Sequence, residues 1–225
     1  MVYDTPEGSV LFVHIPRNAG RYVDRVLVNN GITIRHNQEM QSGKVYHQGK
    51  MLLHLTADDS EYFHEEEFPR NFCVVRHPLD HFISAHFAFE DQINARSSAS
   101  FFKPSYEIFE ELMERVIFTE MFDHSRKHMY RGMVNMPDAL FTPQHEFIKE
   151  DTLVWRYEDG MGYDFRVWLR DTVGLPIDVN QEVDQNYQRN PLLDTKSDIP
   201  EDQLEFYREC VRTYYAEDFS TFQYS

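Results

Sequence analysis

The stretch Val10-Leu11-Phe12-Val13-His14-Ile15-Pro16-Arg17-Asn18-Ala19-Gly20-Arg21 decides the fold. Its first six residues are apolar except for His14, and valine and isoleucine dominate them. So short and apolar a run reads as a strand buried on both faces. Pro16, Asn18, Ala19 and Gly20 then mark a tight turn, and Tyr22 to Val28 follows as a helix. The same pattern recurs twice. Phe72-Cys73-Val74-Val75 ends at Arg76, and after His77-Pro78 the segment Leu79 to Phe89 reads as a helix with Pro78 in its first turn. Thr152-Leu153-Val154-Trp155 ends at Arg156, and Asp164 to Val173 is the next helix. Buried strands alternating with helices predict an α/β domain, a parallel sheet flanked by helices.

Two more helices extend this frame. Ile108, Phe109, Leu112, Met113, Val116 and Ile117 recur at helical spacing, which predicts an amphipathic helix from Ser105 to about Phe122. Near the carboxyl end, Ser197 or Asp198 can cap a helix that carries Pro200 in its first turn and Glu201 and Asp202 at its positive end. It should run to about Tyr215. No repeat or low-complexity linker divides the chain, so residues 1–225 are read as one domain.

Composition narrows the function. The chain has 225 residues, 41% of them hydrophobic, enough for one well-cored domain. Thirty-eight acidic residues against 22 basic ones give a net charge of −16. That balance argues against nucleic acid and anionic membrane as partners, since both require positive potential. Residues 1–57 nevertheless carry +2, leaving −18 on the remainder, so an anion site belongs in the amino-terminal quarter. No apolar run reaches the ~18 residues of a membrane span, and the start shows no signal peptide. Cys73 and Cys210 form no paired motif and read as small apolar residues in a reducing cytoplasm.

A strand that ends in a small-residue turn and opens a helix suits an anion, because the first helical N–H groups are unpaired and the dipole is positive there. Here Arg17, Asn18 and Arg21 surround Ala19 and Gly20. The alternative is a surface turn with solvated arginines. No G-x-x-x-x-G-K-[ST] sequence is present, so an ordinary triphosphate loop is not supported. A second place of the same kind is the end of the Phe72–Val75 strand. Arg76 with Ser84 on the following helix would suit a second phosphate; otherwise Arg76 caps a strand and Ser84 bonds its own backbone.

His14-Ile15-Pro16-Arg17-Asn18-Ala19-Gly20 resembles the HIPKTAGT loop of sulfotransferases that use 3′-phosphoadenosine 5′-phosphosulfate (PAPS). Val75-Arg76-His77-Pro78-Leu79-Asp80-His81-Phe82-Ile83-Ser84-Ala85 resembles the VRNPYDRLVSAY signature of the same family. Leu153 to Glu158 is similar to a late LxRYE strand, Asn186-Tyr187-Gln188-Arg189 to an N-x-S-[KR] segment, and Tyr214 to Tyr224 to a YxxDFxxFGY ending. The chain is closest to the carbohydrate-modifying, Golgi-type branch, without its membrane anchor.

The resemblance implies a P-loop-like fold and transfer of a sulfuryl group from PAPS to a hydroxyl of a carbohydrate or small metabolite. It implies that Arg17, with the backbone of Asn18, Ala19, Gly20 and Arg21, holds the 5′-phosphosulfate. Arg76 and Ser84 would hold the 3′-phosphate, with Arg189 assisting. Where the family has Lys this chain has Arg17, and Arg21 replaces a Thr. Arg keeps the charge but cannot release a proton at working pH. A PAPS- or PAP-binding module without transfer is therefore the rival, and a nucleotide-kinase-like enzyme is a weaker one.

The acceptor hydroxyl needs a base. His54, in Leu52-Leu53-His54-Leu55-Thr56, resembles a GHLT-like family segment that often supplies one, with His47 and Glu158 in reserve. Otherwise His54 is a half-buried residue at a strand end. The pairs His77/His81 and His124/His128 lack an H-E-x-x-H context, so no metal is expected. Glu65-Glu66-Glu67 reads as a solvated helix face, and Phe87, Phe89, Phe101 and Phe102 as core.

Overall fold

A computed structural model describes residues 1–35, 45–46, 50–85, 140–183 and 199–225. The predicted helix from Ser105 to Phe122, His47, the His124/His128 pair, Arg189 with its segment, Phe87, Phe89, Phe101, Phe102 and the capping Ser197 and Asp198 lie outside the described residues.

Two strands, β1 (Val2–Thr5) and β2 (Gly8–Val13), form an antiparallel hairpin in which Thr5 faces Gly8. Gly8 has a φ of 112°, a backbone conformation that a side chain would strain. Helix α1 (Gly20–Asn29) leads to β3 (Thr33–Ile34), which pairs antiparallel with β1. A separate two-stranded ribbon joins β4 (Val45–Tyr46) to β5 (Lys50–Met51). Then come α2 (Ala57–His64), β6 (Asn71–Val75) and a helix, α3, described over residues 78–85. Strand β7 (Leu153–Arg156), α4 (Tyr163–Asp171), α5 (Glu201–Tyr214) and α6 (Ala216–Thr221) complete the elements.

The main sheet has five strands in the order β3-β1-β2-β6-β7. Strands β2, β6 and β7 are parallel, with Phe12 beside Phe72 and Phe72 beside Leu153. These are the strands the apolar runs predict. The sheet as a whole is mixed rather than parallel, because β1 and β3 add antiparallel strands at one edge. Strand β1 is four residues long and ends in the polar pair Asp4-Thr5, which leaves it too short for a clear periodic signal.

Both faces of β2 and β6 are buried, and alternation divides their side chains between two cores. Val10, Phe12, Phe72 and Val74 pack with Tyr22, Val23, Val26 and Leu27 of α1 and with Phe165 and Leu169 of α4. Leu11, Val13, Cys73 and Val75 face the other way, onto Ala57, Phe68, Phe147 and Phe222. A third cluster joins Leu79, Phe82 and Ile83 of α3 to Leu204, Tyr207 and Val211 of α5 and to Tyr215. Cys73 and Cys210 are buried free thiols. No helix among the described residues is long and apolar enough to cross a membrane.

Helix α2 starts with a reciprocal cap. The Thr56 hydroxyl accepts from the Asp59 N–H at 3.0 Å while the Asp59 carboxylate accepts from the Thr56 N–H. Phe72 is fully buried, stacked at 5.0 Å on Phe12 and edge-on to Trp168 at 6.0 Å. Phe72→Ala should therefore lower the unfolding free energy by ~3–5 kcal/mol, and Thr56→Ala by ~1 kcal/mol. Val28→Ala, on an exposed side chain of α1, should stay within about 0.5 kcal/mol of wild type. Urea titrations read all three, and a Phe72→Ala midpoint equal to that of Val28→Ala would contradict this account of the core.

Candidate functional site

Because β2, β6 and β7 run parallel, their carboxyl ends lie on one edge of the sheet. The loop 14–19, residues 76–77 and the short 3₁₀ turn Tyr157–Asp159 all leave from that edge, where open α/β sheets bind ligands. In the first loop Arg17 and Ala19 adopt left-handed backbone, with φ of 69° and 59°. Such conformations in non-glycine residues cost ~1–3 kcal/mol each and cluster where a loop is shaped for a ligand. Helix α1 then begins without a side-chain cap and without an acidic residue in its first turn. The exposed Arg21 adds positive charge to that positive end, an arrangement that favours an anion. Gly20 is required by space: a Cβ there would lie 1.8 Å from Nε2 of His14.

A buried amide network fixes this loop against β6. Asn18 donates through Nδ2 to the Val74 carbonyl at 3.0 Å and to Oε1 of Gln144 at 2.6 Å. The same Oε1 accepts the Arg76 N–H at 2.9 Å, and Nε2 of Gln144 donates to the Arg76 carbonyl at 2.7 Å. Gln144 thus pairs with the Arg76 backbone as a neighbouring strand would. Its own N–H donates to Asp218, whose fully buried carboxylate also accepts the N–H and Nδ1–H of His145. The Asn18 side chain thus holds the loop to the sheet, and the Asn18 N–H closes a turn onto the Ile15 carbonyl at 3.3 Å.

Above this network the two motifs meet. Arg17 donates through Nε to the Ser84 hydroxyl at 3.2 Å, so loop 14–19 touches α3 directly. One turn earlier on α3, His81 donates through Nε2 to the Pro16 carbonyl at 3.1 Å. Arg76 is buried, with its guanidinium carbon 4.9 Å from the centre of the Tyr157 ring. No carboxylate among the described residues pairs with it, and its Nε–H is buried without a hydrogen-bond partner among them. Asn18 Oδ1, His14 Nδ1 and His81 Nδ1 are buried in the same condition.

His54 ends a 3₁₀ turn, Leu52–His54, and packs its ring 4.9 Å from that of His14. Its Nδ1 lies 3.3 Å from the His14 carbonyl. A carbonyl only accepts, so Nδ1 carries the proton and Nε2 keeps the lone pair a base requires. Burial lowers its pKa to about 4, and the nearby chain amino group adds to that. The ring is neutral at pH 7 and weakly basic. Glu158, the reserve, accepts the His77 N–H and the Tyr224 hydroxyl, each at 2.8 Å, so both of its oxygens tie elements together.

Of the residues singled out in the sequence, Arg17 and Ser84 are brought into contact, and Arg76 lies at the end of β6 on the same edge. His54 lies beside His14, at the start of the loop. Gln144, His81 and Asp218 were missed as determinants of the site. Gln144 follows the turn-like Thr142-Pro143, but nothing in the sequence shows that its amide reaches Arg76. No group of three or more metal-ligating side chains is assembled among the described residues. Comparison of the chain with protein-family models, with curated proteins and with solved structures found no match.

Burial also lowers the pKa of His81 to about 3, helped by the charges of Arg76 and Arg17, and holds His14 well below the ordinary histidine value. The unfolded chain binds protons on these rings near pH 6.5, while the folded chain does not. Stability contributed by neutral burial is therefore complete above pH 6.5 and declines as the pH falls towards the folded values. Each ring adds a slope of up to ~1.4 kcal/mol per pH unit within that window. Urea midpoints should hold above about pH 6.5 and drop from there to pH 5, less steeply for His81→Gln. A flat profile over that range would contradict neutral burial.

Proposed function

We propose that this chain is a PAPS-dependent sulfotransferase with a P-loop-like core, acting on a hydroxyl of a carbohydrate or small metabolite. The observation that carries the reading is the buried Arg76 guanidinium, which pairs with no carboxylate among the described residues. An isolated buried cation is costly, and a bound phosphate would offset that cost through charge-assisted hydrogen bonds. The Arg17–Ser84 bond supports the same reading, because it joins the two motifs that resemble the family's phosphate sites. The strand–loop–helix unit of β2 and α1, flanked by parallel β6, supports the P-loop-like assignment.

In the proposed reaction the acceptor oxygen attacks sulfur as the bond from sulfur to the bridging oxygen of the 5′-phosphate breaks. Negative charge builds on that phosphate, and Arg17 stabilises it with the backbone N–H groups at the start of α1. Arg76 and Ser84 hold the 3′-phosphate, with Arg189 assisting. Nε2 of His54 receives the acceptor proton. The reading places the enzyme in the reducing cytoplasm, supported by the two free thiols.

The second reading, a binding module without transfer, is favoured by the weak basicity of His54 and by Arg in place of the family's Lys. Calorimetry and a transfer assay separate the two. Adenosine 3′,5′-bisphosphate should bind more tightly than AMP, and Arg76→Ala should remove most of that preference, at ~1.5–3 kcal/mol for a charge-assisted bond. Equal affinity of wild type for the two nucleotides would overturn the assignment. Arg17→Ala should slow transfer of labelled sulfate strongly while changing bisphosphate affinity modestly. Tight binding with neither transfer to any acceptor nor hydrolysis of PAPS would favour the module.

A further inference from the structure

Two of the buried atoms that lack partners near the proposed 3′-phosphate site are of opposite polarity. Arg76 Nε–H is a buried donor and His81 Nδ1 is a buried acceptor, both without a partner among the described residues. The polarity of His81 is fixed by geometry. Nε2 lies 3.1 Å from the Pro16 carbonyl and must carry the proton, which leaves a lone pair on Nδ1. The ring is held against Pro16, the neighbour of Arg17 in the loop, on the helix that follows Arg76, and protonation of Nδ1 is opposed by burial and by the charges of Arg76 and Arg17. His81 also stands one helical turn before Ser84, the hydroxyl in contact with Arg17.

A buried lone pair requires a donor. A fully ionised phosphate has none to give, since all its oxygens accept. Binding of a phosphate alone would satisfy Arg76 and leave His81 as it is. A ligand that presents a hydroxyl next to its phosphate would satisfy both.

We infer that His81 is a specificity-determining residue whose Nδ1 accepts a hydrogen bond from a hydroxyl adjacent to the phosphate held by Arg76 and Ser84, which in a 3′-phosphorylated nucleotide is the ribose 2′-hydroxyl. The inference rests on the sulfotransferase reading and goes beyond it, because it selects ribose over deoxyribose at the nucleotide. The acceptor on His81 thus complements the donors on the arginines, and the pair recognises a vicinal hydroxy-phosphate rather than phosphate alone.

The test is calorimetric titration of the full chain with three nucleotides: adenosine 3′,5′-bisphosphate, its 2′-deoxy counterpart and AMP. The deoxy compound should bind about tenfold more weakly than the ribo compound, the effect of one buried hydrogen bond lost. In His81→Gln, whose amide nitrogen can still donate to the Pro16 carbonyl, that ratio should fall to near one. Equal binding of the two bisphosphates by wild type, both tighter than AMP, would overturn the role of His81 and leave the sulfotransferase reading standing. A ribose preference that persists in His81→Gln would also overturn it. If neither bisphosphate binds more tightly than AMP, both readings fall together.

Discussion

A primary amide buried at the end of a β-strand has two protons and two lone pairs to place, and Gln144 places most of them on structure that others depend on. It gives one hydrogen bond to the Arg76 carbonyl and takes one each from the Arg76 N–H and the Asn18 side chain. Loop 14–19, the end of β6 and the segment before β7 are thereby held to one another. Asp218 anchors Gln144 from behind, through its backbone N–H. A buried carboxylate would be costly alone, but three N–H groups satisfy this one. The carboxyl-terminal helices are thus linked to the loop at the opposite end of the sequence.

The electrostatic consequence concerns where charge is allowed. His14, His54 and His81 are kept neutral by burial, which prevents them from adding to the positive charge of Arg17 and Arg76. Positive potential at the sheet edge then comes from guanidinium groups and the start of α1, whose positions are set by hydrogen bonds rather than by titration. This matters in a chain with a net charge of −16, whose distant field opposes an anion. Close, fixed donors in a partly desolvated site are strong enough to act against that field because the local dielectric is low.

The legible parts of the fold are those buried on two faces. Val10 to Val13, Phe72 to Val75 and Leu153 to Trp155 read as strands because every residue, in or out, meets a hydrophobic layer or its margin. Strand β1 was not legible, since its pairing depends on the turn at Pro6-Glu7 and on partners on both sides. Within the site, Arg17, Arg76 and Ser84 were legible as candidates because Arg17 and Arg76 follow recognisable strand ends and Ser84 lies on the helix that opens after the second. Gln144 and Asp218 were not, because their importance lies in contacts with residues far away in the chain. The structural role of the Asn18 side chain was not legible for the same reason: only the folded chain shows its amide protons reaching Val74 and Gln144.

The contact between Gly20 and His14 carries a consequence for how such a sequence can change over generations. The imidazole occupies the space that any side chain at position 20 would enter. The turn therefore brings the two arms of the loop together with no room between them, and the positions are sterically one unit. A lineage that replaces Gly20 with a larger residue must first have shortened the residue at position 14, and a lineage that keeps the imidazole must keep the glycine. The order of substitutions is constrained as well as their identity, so positions 14 and 20 should drift as a pair while the exposed surface of α1 varies one residue at a time.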